Sequence, residues 1–260
     1  IIGRRRSWGV PYFIFMLFFV LAPLVIMVWY AFTDAQGHLT FYNIAEFFQE
    51  SEAVNTLVYS VGIAIINTAL CILIGYPAAY FLSNSKINKS SILVVLFLLP
   101  MLINVLVRTL ATVALFGWIK IPLGQGTLIF GMVYNYLPFM ILPIYNVLAK
   151  LDKSYSEAAQ DLGASPVRVF LKVTLPLSVP GILSGVMMVF MPTISTFANP
   201  EMLTKNNIKL VGTIIKENTN NGMWNYGAML SMIMLVFIVI MNLITGDQSE
   251  NTNSGVGGLI

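Results

Sequence analysis

The chain has 260 residues, of which 57% are hydrophobic and only 10% charged, with a formal net charge of +3. A soluble domain of this length carries about a quarter charged residues, so the composition excludes an ordinary soluble enzyme and points to an integral membrane protein. The small net charge argues against nucleic-acid binding, and the single cysteine, Cys71, leaves no disulfide framework, thiol metal site or redox pair.

Arg4, Arg5 and Arg6 precede an apolar run from Val10 to Phe32. That pattern imitates a signal peptide, but the run exceeds the roughly 7 to 15 residues of such a segment and no small-residue cleavage site follows. It reads as a retained first span. Apolar runs of about 18 residues or more predict spanning helices, and five further ones follow: Val54 to Leu82, Ile92 to Leu115, Leu128 to Leu148, Ser178 to Phe197 and Tyr226 to Ile244. The reading is one all-α membrane domain over residues 1–245, with a polar tail over 246–260 expected to be disordered. Pro23, Pro77, Pro100, Pro138, Pro143 and Pro192 lie inside the predicted spans. Each removes a backbone hydrogen bond and tends to kink its helix.

With the N-terminus inside, the inner segments hold nine basic residues (Arg4, Arg5, Arg6, Lys86, Lys89, Lys150, Lys153, Arg168, Lys172) and the outer ones four (Lys120, Lys205, Lys209, Lys216). The excess places both termini in the cytoplasm. The first outer segment, Thr33 to Ala53, carries Asp34, Glu46, Glu50 and Glu52 without a lysine or arginine. It reads either as a solvated loop or as a surface that gathers a cation or a basic partner. His38, the only histidine, has no companion ligands in sequence and reads as a loop residue.

Polar groups at depth are costly in hydrocarbon and therefore informative. Asn104 and Arg108 are four apart and share one face of the third span. Arg108 either snorkels to the outer interface and pairs with a carboxylate there, or lines a path and stabilises one conformation. Tyr134, Asn135 and Tyr136 interrupt the fourth span just before Pro138, with the two tyrosines on opposite sides of the helix. In the fifth span Ser178, Gly181 and Gly185 form a small-residue stripe that permits close packing, within this chain or against a second subunit.

Between the fourth and fifth spans lies a polar stretch, Lys153 to Pro180. Ser154 and Glu157 have the spacing of a capping box, so a short helix is expected from Tyr155 to Leu162. Gly163 is placed to stop it in the left-handed conformation. Ser165 and Pro166 restart a second helix as N-cap and first helical residue, running to about Thr174 before Pro176. Among soluble signatures, no P-loop, HExxH, GxSxG or dinucleotide fingerprint appears, so any ATP and magnesium would be bound by another chain.

This stretch also reads E-A-A, three residues, G, nine residues, V-x-L-P: Glu157, Ala158, Ala159, Gly163, Val173, Leu175 and Pro176. It resembles the EAA signature of permease subunits of ATP-binding-cassette importers, departing only in Val173 for isoleucine. Segments Gly75 to Ser83, Leu98 to Thr109, Tyr134 to Ser165 and Leu175 to Gly185 resemble the spermidine/putrescine branch of that family. LTKNNIK, from Leu203 to Lys209, lacks the glycine-rich turn expected there. The resemblance implies the type I ABC importer permease fold, with six spans and a cytoplasmic coupling helix over 153–176, in a bacterial inner membrane. It implies as partners a second homologous permease, two ATPase subunits and an extracytoplasmic solute-binding protein, in a lipid bilayer and with no nucleic acid. Ser154, Glu157, Ala158, Ala159, Asp161 and Gly163 would couple to the ATPase. A polyamine path would use carboxylates and aromatic faces, for which Asn104, Arg108, Trp118, Tyr134, Asn135, Tyr136 and Glu201 are candidates. The third to fifth spans carry no acidic residue, so the second permease would supply carboxylates or the cargo differs: an anion, iron or a phosphonate in a related importer. A secondary transporter or channel would need intramembrane carboxylates or histidines for coupling, which the spans lack.

Overall fold

The computed structural model describes residues 10–34, 36–84 and 92–257. Arg4 to Arg6, Lys86 and Lys89, which weigh in the charge asymmetry, lie outside them. Helices dominate: α1 (Val10–Met16) and α2 (Ala22–Ala31), joined by a π-helical turn (Leu17–Leu21), then α3 (Tyr42–Gln49), α4 (Ser51–Ser83), α5 (Ile92–Leu102), α6 (Val105–Trp118) and α7 (Gln125–Leu148). After these come α8 (Ser154–Asp161), α9 (Pro166–Val169), a second π turn (Phe170–Thr174), α10 (Leu175–Ser195), α11 (Ala198–Leu203), α12 (Val211–Asn220) and α13 (Trp224–Gly257).

Among the described residues, five helical segments are long and apolar enough to cross a membrane: Pro11–Ala31, Ser51–Ser83, Gln125–Leu148, Pro166–Ser195 and Trp224–Leu243. The expected third span is not one straight helix. It breaks between Ile92–Leu102 and Val105–Trp118 with a bend of 88°. The cause is a cap in an apolar setting. Asn104 leaves helical geometry (φ −53°, ψ 133°) and its side-chain oxygen accepts from the Leu106 N–H, at 2.8 Å. Hydropathy is blind to that competition between side chain and helix backbone.

α4, α7 and α10 pack most extensively on one another. Their shared core holds Cys71, Tyr76, Met140, Ile141, Ile144 and Val189. The glycine stripe serves this internal contact: a Cβ on Gly181 would lie 3.0 Å from the Pro143 carbonyl oxygen, and one on Gly185 2.6 Å from the Met140 sulfur. Buried polar pairs cross the same block, Asn67 donating to Thr193 at 2.8 Å and Tyr76 meeting Ser178 at 2.9 Å. The first span stands apart, exposed over most of its length as far as the buried Ala31, and packs through α2 against α13. The Asn225 amide fastens the two, donating to the carbonyls of Tyr30 at 3.1 Å and Thr33 at 2.8 Å.

Two further expectations are corrected. The fifth span begins at Pro166 rather than Ser178, and no break occurs at Pro176. The π turn over Phe170–Thr174 leads directly into α10, and such local re-pairing accommodates a proline that lacks an N–H. The polar tail continues α13 as helix to Gly257 instead of being unstructured, because adding a residue to a formed helix is far easier than nucleating one.

Candidate functional site

Two sites emerge at opposite ends of the α4–α7–α10 block. At the first, Asp152 accepts from the Ser154 N–H at 2.9 Å, which holds the Asp152 carboxyl below its ordinary pKa and starts α8. The predicted capping box does not form: Lys153 is the N-cap and no side-chain cap bond is present. An ionised carboxylate two residues upstream is the stronger acceptor, so Ser154 and Glu157 are left outside the cap. The far end follows the expectation. Gly163 has φ +79°, its N–H bonds to Gln160 at 2.8 Å, and the Ala164 N–H bonds to Ala159 at 3.0 Å. These are the two bonds of a Schellman stop. Ser165 then accepts from the Arg168 N–H with Pro166 as first helical residue.

No residue of α8 is buried. Ser154, Glu157, Ala158, Asp161 and Gly163 are exposed and Ala159 is half-buried. At the corner Leu162 is 90% exposed, with Val167 and Tyr155 also open. Phe170 braces the corner, packing edge-on against Tyr76 and Tyr80 with ring centres 5.8 and 5.6 Å apart. A cavity of about 440 Å³ lies beside α8, lined by Tyr80, Ser83, Asp152, Glu157 and Gln160 among others.

The second site is a polar seam joining α6, α7 and α11. Asn135, 1% exposed, donates to Thr109 at 3.0 Å and to the Asn199 side-chain oxygen at 3.1 Å. Thr109 donates to the same Asn199 oxygen at 3.1 Å. Arg108 sits next to this seam and is not snorkelled: it is 6% exposed, no ion pair to it occurs among the described residues, and its Cζ lies 5.7 Å from the centre of the Tyr134 ring. Tyr134 itself borders an apolar cavity of about 320 Å³ with Leu96, Phe97, Pro100, Pro138 and Ile141. Tyr136 points the other way, packed in the core with its hydroxyl donating to the Pro192 carbonyl at 3.4 Å.

The remaining path candidates do not join this cluster. Asn104 is the exposed cap of α6, and Trp118 ends that helix 82% exposed. Glu201 pairs with Lys216 at 2.6 Å on the α11–α12 surface. Thr109 and Asn199 were not singled out as candidates by the sequence, although a polar pair near the starts of α6 and α11 is the available signal. The acidic segment splits: Asp34 lies 3.5 Å from His38 and accepts from the His38 and Gln36 backbone N–H groups, while Glu50 accepts from the Tyr226 hydroxyl. Glu50 and Glu52 line a cavity of about 170 Å³ with Lys209, Glu217 and Tyr226.

Among the described residues, a helical bundle with five or six segments long and apolar enough to span a membrane and a braced, exposed helix–glycine–helix corner defines a multi-pass membrane protein. The chain belongs to the family of binding-protein-dependent transport system inner membrane components, which it matches over residues 71–246. It is 32% identical over 218 residues to the spermidine/putrescine transport system permease protein PotB of Escherichia coli, covering 77% of this chain and 79% of that one. With the Haemophilus influenzae protein of the same name it shares 31% identity over 253 residues, 88% of each chain. Its fold superposes on a bacterial ABC transporter involved in import of the acidic polysaccharide alginate, with a TM-score of 0.70 at 17% identity over 95% of this chain and 96% of that one.

Proposed function

We propose that this permease forms half of an import path for a polyamine and takes its drive from a separate ATPase that grips α8. The observation that carries the coupling role is the corner itself: a helix with no buried residue, fixed at one end by Asp152 and at the other by a left-handed glycine, presenting Leu162 at 90% exposure. Leu162, Val167 and Tyr155 are all exposed around this corner, and a group of exposed apolar side chains, unlike a single one, supports a protein contact; Ala158 permits close approach. Two ATPase subunits bind ATP and magnesium, a second homologous permease completes the path, and a solute-binding protein delivers cargo at the opposite face. The chain itself carries out no catalysis, and both of its termini face the cytoplasm. Support for the cargo comes from the two PotB proteins, named as spermidine/putrescine permeases. Tyr134 offers an aromatic face for an ammonium group, and the second permease supplies the carboxylates that these spans lack.

Coupling is tested by co-purification and uptake with the double variant Glu157→Arg, Gly163→Pro; intact assembly and uptake would overturn it. The cargo is tested by ATPase stimulation with binding protein loaded with spermidine, putrescine or sulfate. Stimulation by sulfate alone would overturn the polyamine reading.

A further inference from the structure

We propose that Arg108 determines specificity along the path as an internal cation: in the state seen here its guanidinium holds the Tyr134 face, and a cationic cargo reaches that face only after Arg108 has left it. The inference rests on the polyamine reading.

The geometry is unusual for an arginine. Its Nε and Nη1 are sealed from water, and neither has a hydrogen-bond partner among the described residues. The described carboxylates that form ion pairs do so elsewhere, Asp34 with His38, Glu217 with Lys209 and Glu201 with Lys216. What Arg108 does have is the Tyr134 ring, 5.7 Å from its Cζ. A guanidinium with two of its three nitrogens buried and with no counter-charge among the described residues is costly, so this position belongs to a state held in place by other contacts.

Those contacts are on the page. Thr109, the next residue, is tied to Asn135 and Asn199, and this seam is also incompletely satisfied: Asn135 Oδ1 and Asn199 Nδ2 lack partners among the described residues. α6 carries both Arg108 and Thr109 just after an 88° break, so parting the seam frees the segment that holds the guanidinium. Parting it also lets water reach the orphaned groups of Arg108, Asn135 and Asn199 at once. Two positive charges cannot share one ring face at close range. Cargo binding and the sequestered Arg108 therefore exclude each other, and the seal against cations in the closed state comes from Arg108 itself.

The test uses the whole importer in proteoliposomes preloaded with labelled spermidine and without ATP. Arg108→Gln, which keeps hydrogen bonding and loses charge, is expected to raise leakage about fivefold or more, and Arg108→Lys to leak less than the glutamine variant. Equal leakage from Arg108→Gln and wild type overturns the proposal, as does a lysine variant as leaky as glutamine. A second measurement needs no variant: p-hydroxyphenylglyoxal modification of Arg108 in the wild-type complex, read by peptide mass. Protection at rest and modification after vanadate trapping is expected. The same extent of modification in both states overturns the proposal even if Arg108→Gln fails to assemble. Failure of the wild type to import spermidine would instead overturn the polyamine reading, leaving the modification result to decide the role of Arg108.

Discussion

Asn135 places both of its bonds across helix boundaries, to Thr109 on α6 at 3.0 Å and to Asn199 on α11 at 3.1 Å. Replacing it with leucine keeps the branched shape but removes both bonds that Asn135 donates to the buried Thr109–Asn199 pair, which costs about 1–3 kcal/mol. Asn135→Leu is expected to lower the melting temperature of the detergent-purified permease by several degrees, whereas Trp118→Leu, at an 82% exposed position, should leave it unchanged. Equal melting of both would show that the seam bears no load. The Lys209–Glu217 pair, 2.6 Å apart, behaves differently because it is surface-exposed. Its hydrogen bond from Lys209 is the main reason the Glu217 carboxyl titrates below its ordinary value of 4.5, and it raises Lys209 above 10.5. A lowered carboxyl contributes stability above its unfolded pKa and loses it as pH falls through the folded one; a raised lysine contributes below its unfolded pKa and loses it as pH rises through the folded one. The pair therefore acts fully between about pH 4.5 and 10.5. Being worth about 0.2–1 kcal/mol at such exposure, it should make Glu217→Gln melt slightly lower than wild type at pH 7. That difference should shrink as the pH drops below 4.5 and should weaken in high salt.

At the scale of elements, the α8 corner depends on a backbone conformation only glycine adopts freely. Gly163→Ala forces φ +79° on a side chain, a cost of about 1–2 kcal/mol, which the corner relieves by turning α8. Co-purification with the ATPase should persist while ATP hydrolysis stimulated by loaded binding protein falls; undiminished stimulation would mean the corner's rigidity is irrelevant. Gly185→Val tests the α7–α10 contact, since its Cβ would fall 2.6 Å from the Met140 sulfur. Overpacking of this kind costs about 1–3 kcal/mol and should lower the melting temperature. The corner was legible in the sequence because its determinants, Gly163 and Ser165–Pro166, act within a few residues of themselves. The start of α8 was misread because Asp152 and Ser154 both offer a cap and sequence does not rank the two. The break at Asn104 was hidden by the apolar run around it, and hydropathy reports length rather than direction. Asn135 stood out as a polar residue at depth, but its partners lie 26 and 64 positions away, where no local pattern reaches.

Across the described residues, α4, α7 and α10 form a block that runs from the α8 corner to the seam. Phe170 locks the corner onto α4 through Tyr76 and Tyr80, and Gly181 lets α10 seat directly on the α7 backbone at Pro143. At the other end Ser60 of α4 accepts from the Val211 N–H at 3.0 Å, fixing α12. On the proposed coupling role, a push on α8 would reach the far surface through packed helices rather than loops, and the two ends would then lie on opposite sides of the membrane. The sequence has a single cysteine, and it is buried, which makes the arrangement testable with little background. Gln36→Cys, in the exposed turn after the first span, and Asp161→Cys, on the exposed end of α8, report the two sides. In intact cells stripped of their outer barrier, a membrane-impermeant maleimide should label position 36 and not 161. After permeabilisation both should react. Labelling of position 161 in intact cells would reverse the orientation drawn from the lysines and arginines, and with it the side on which an ATPase can grip α8.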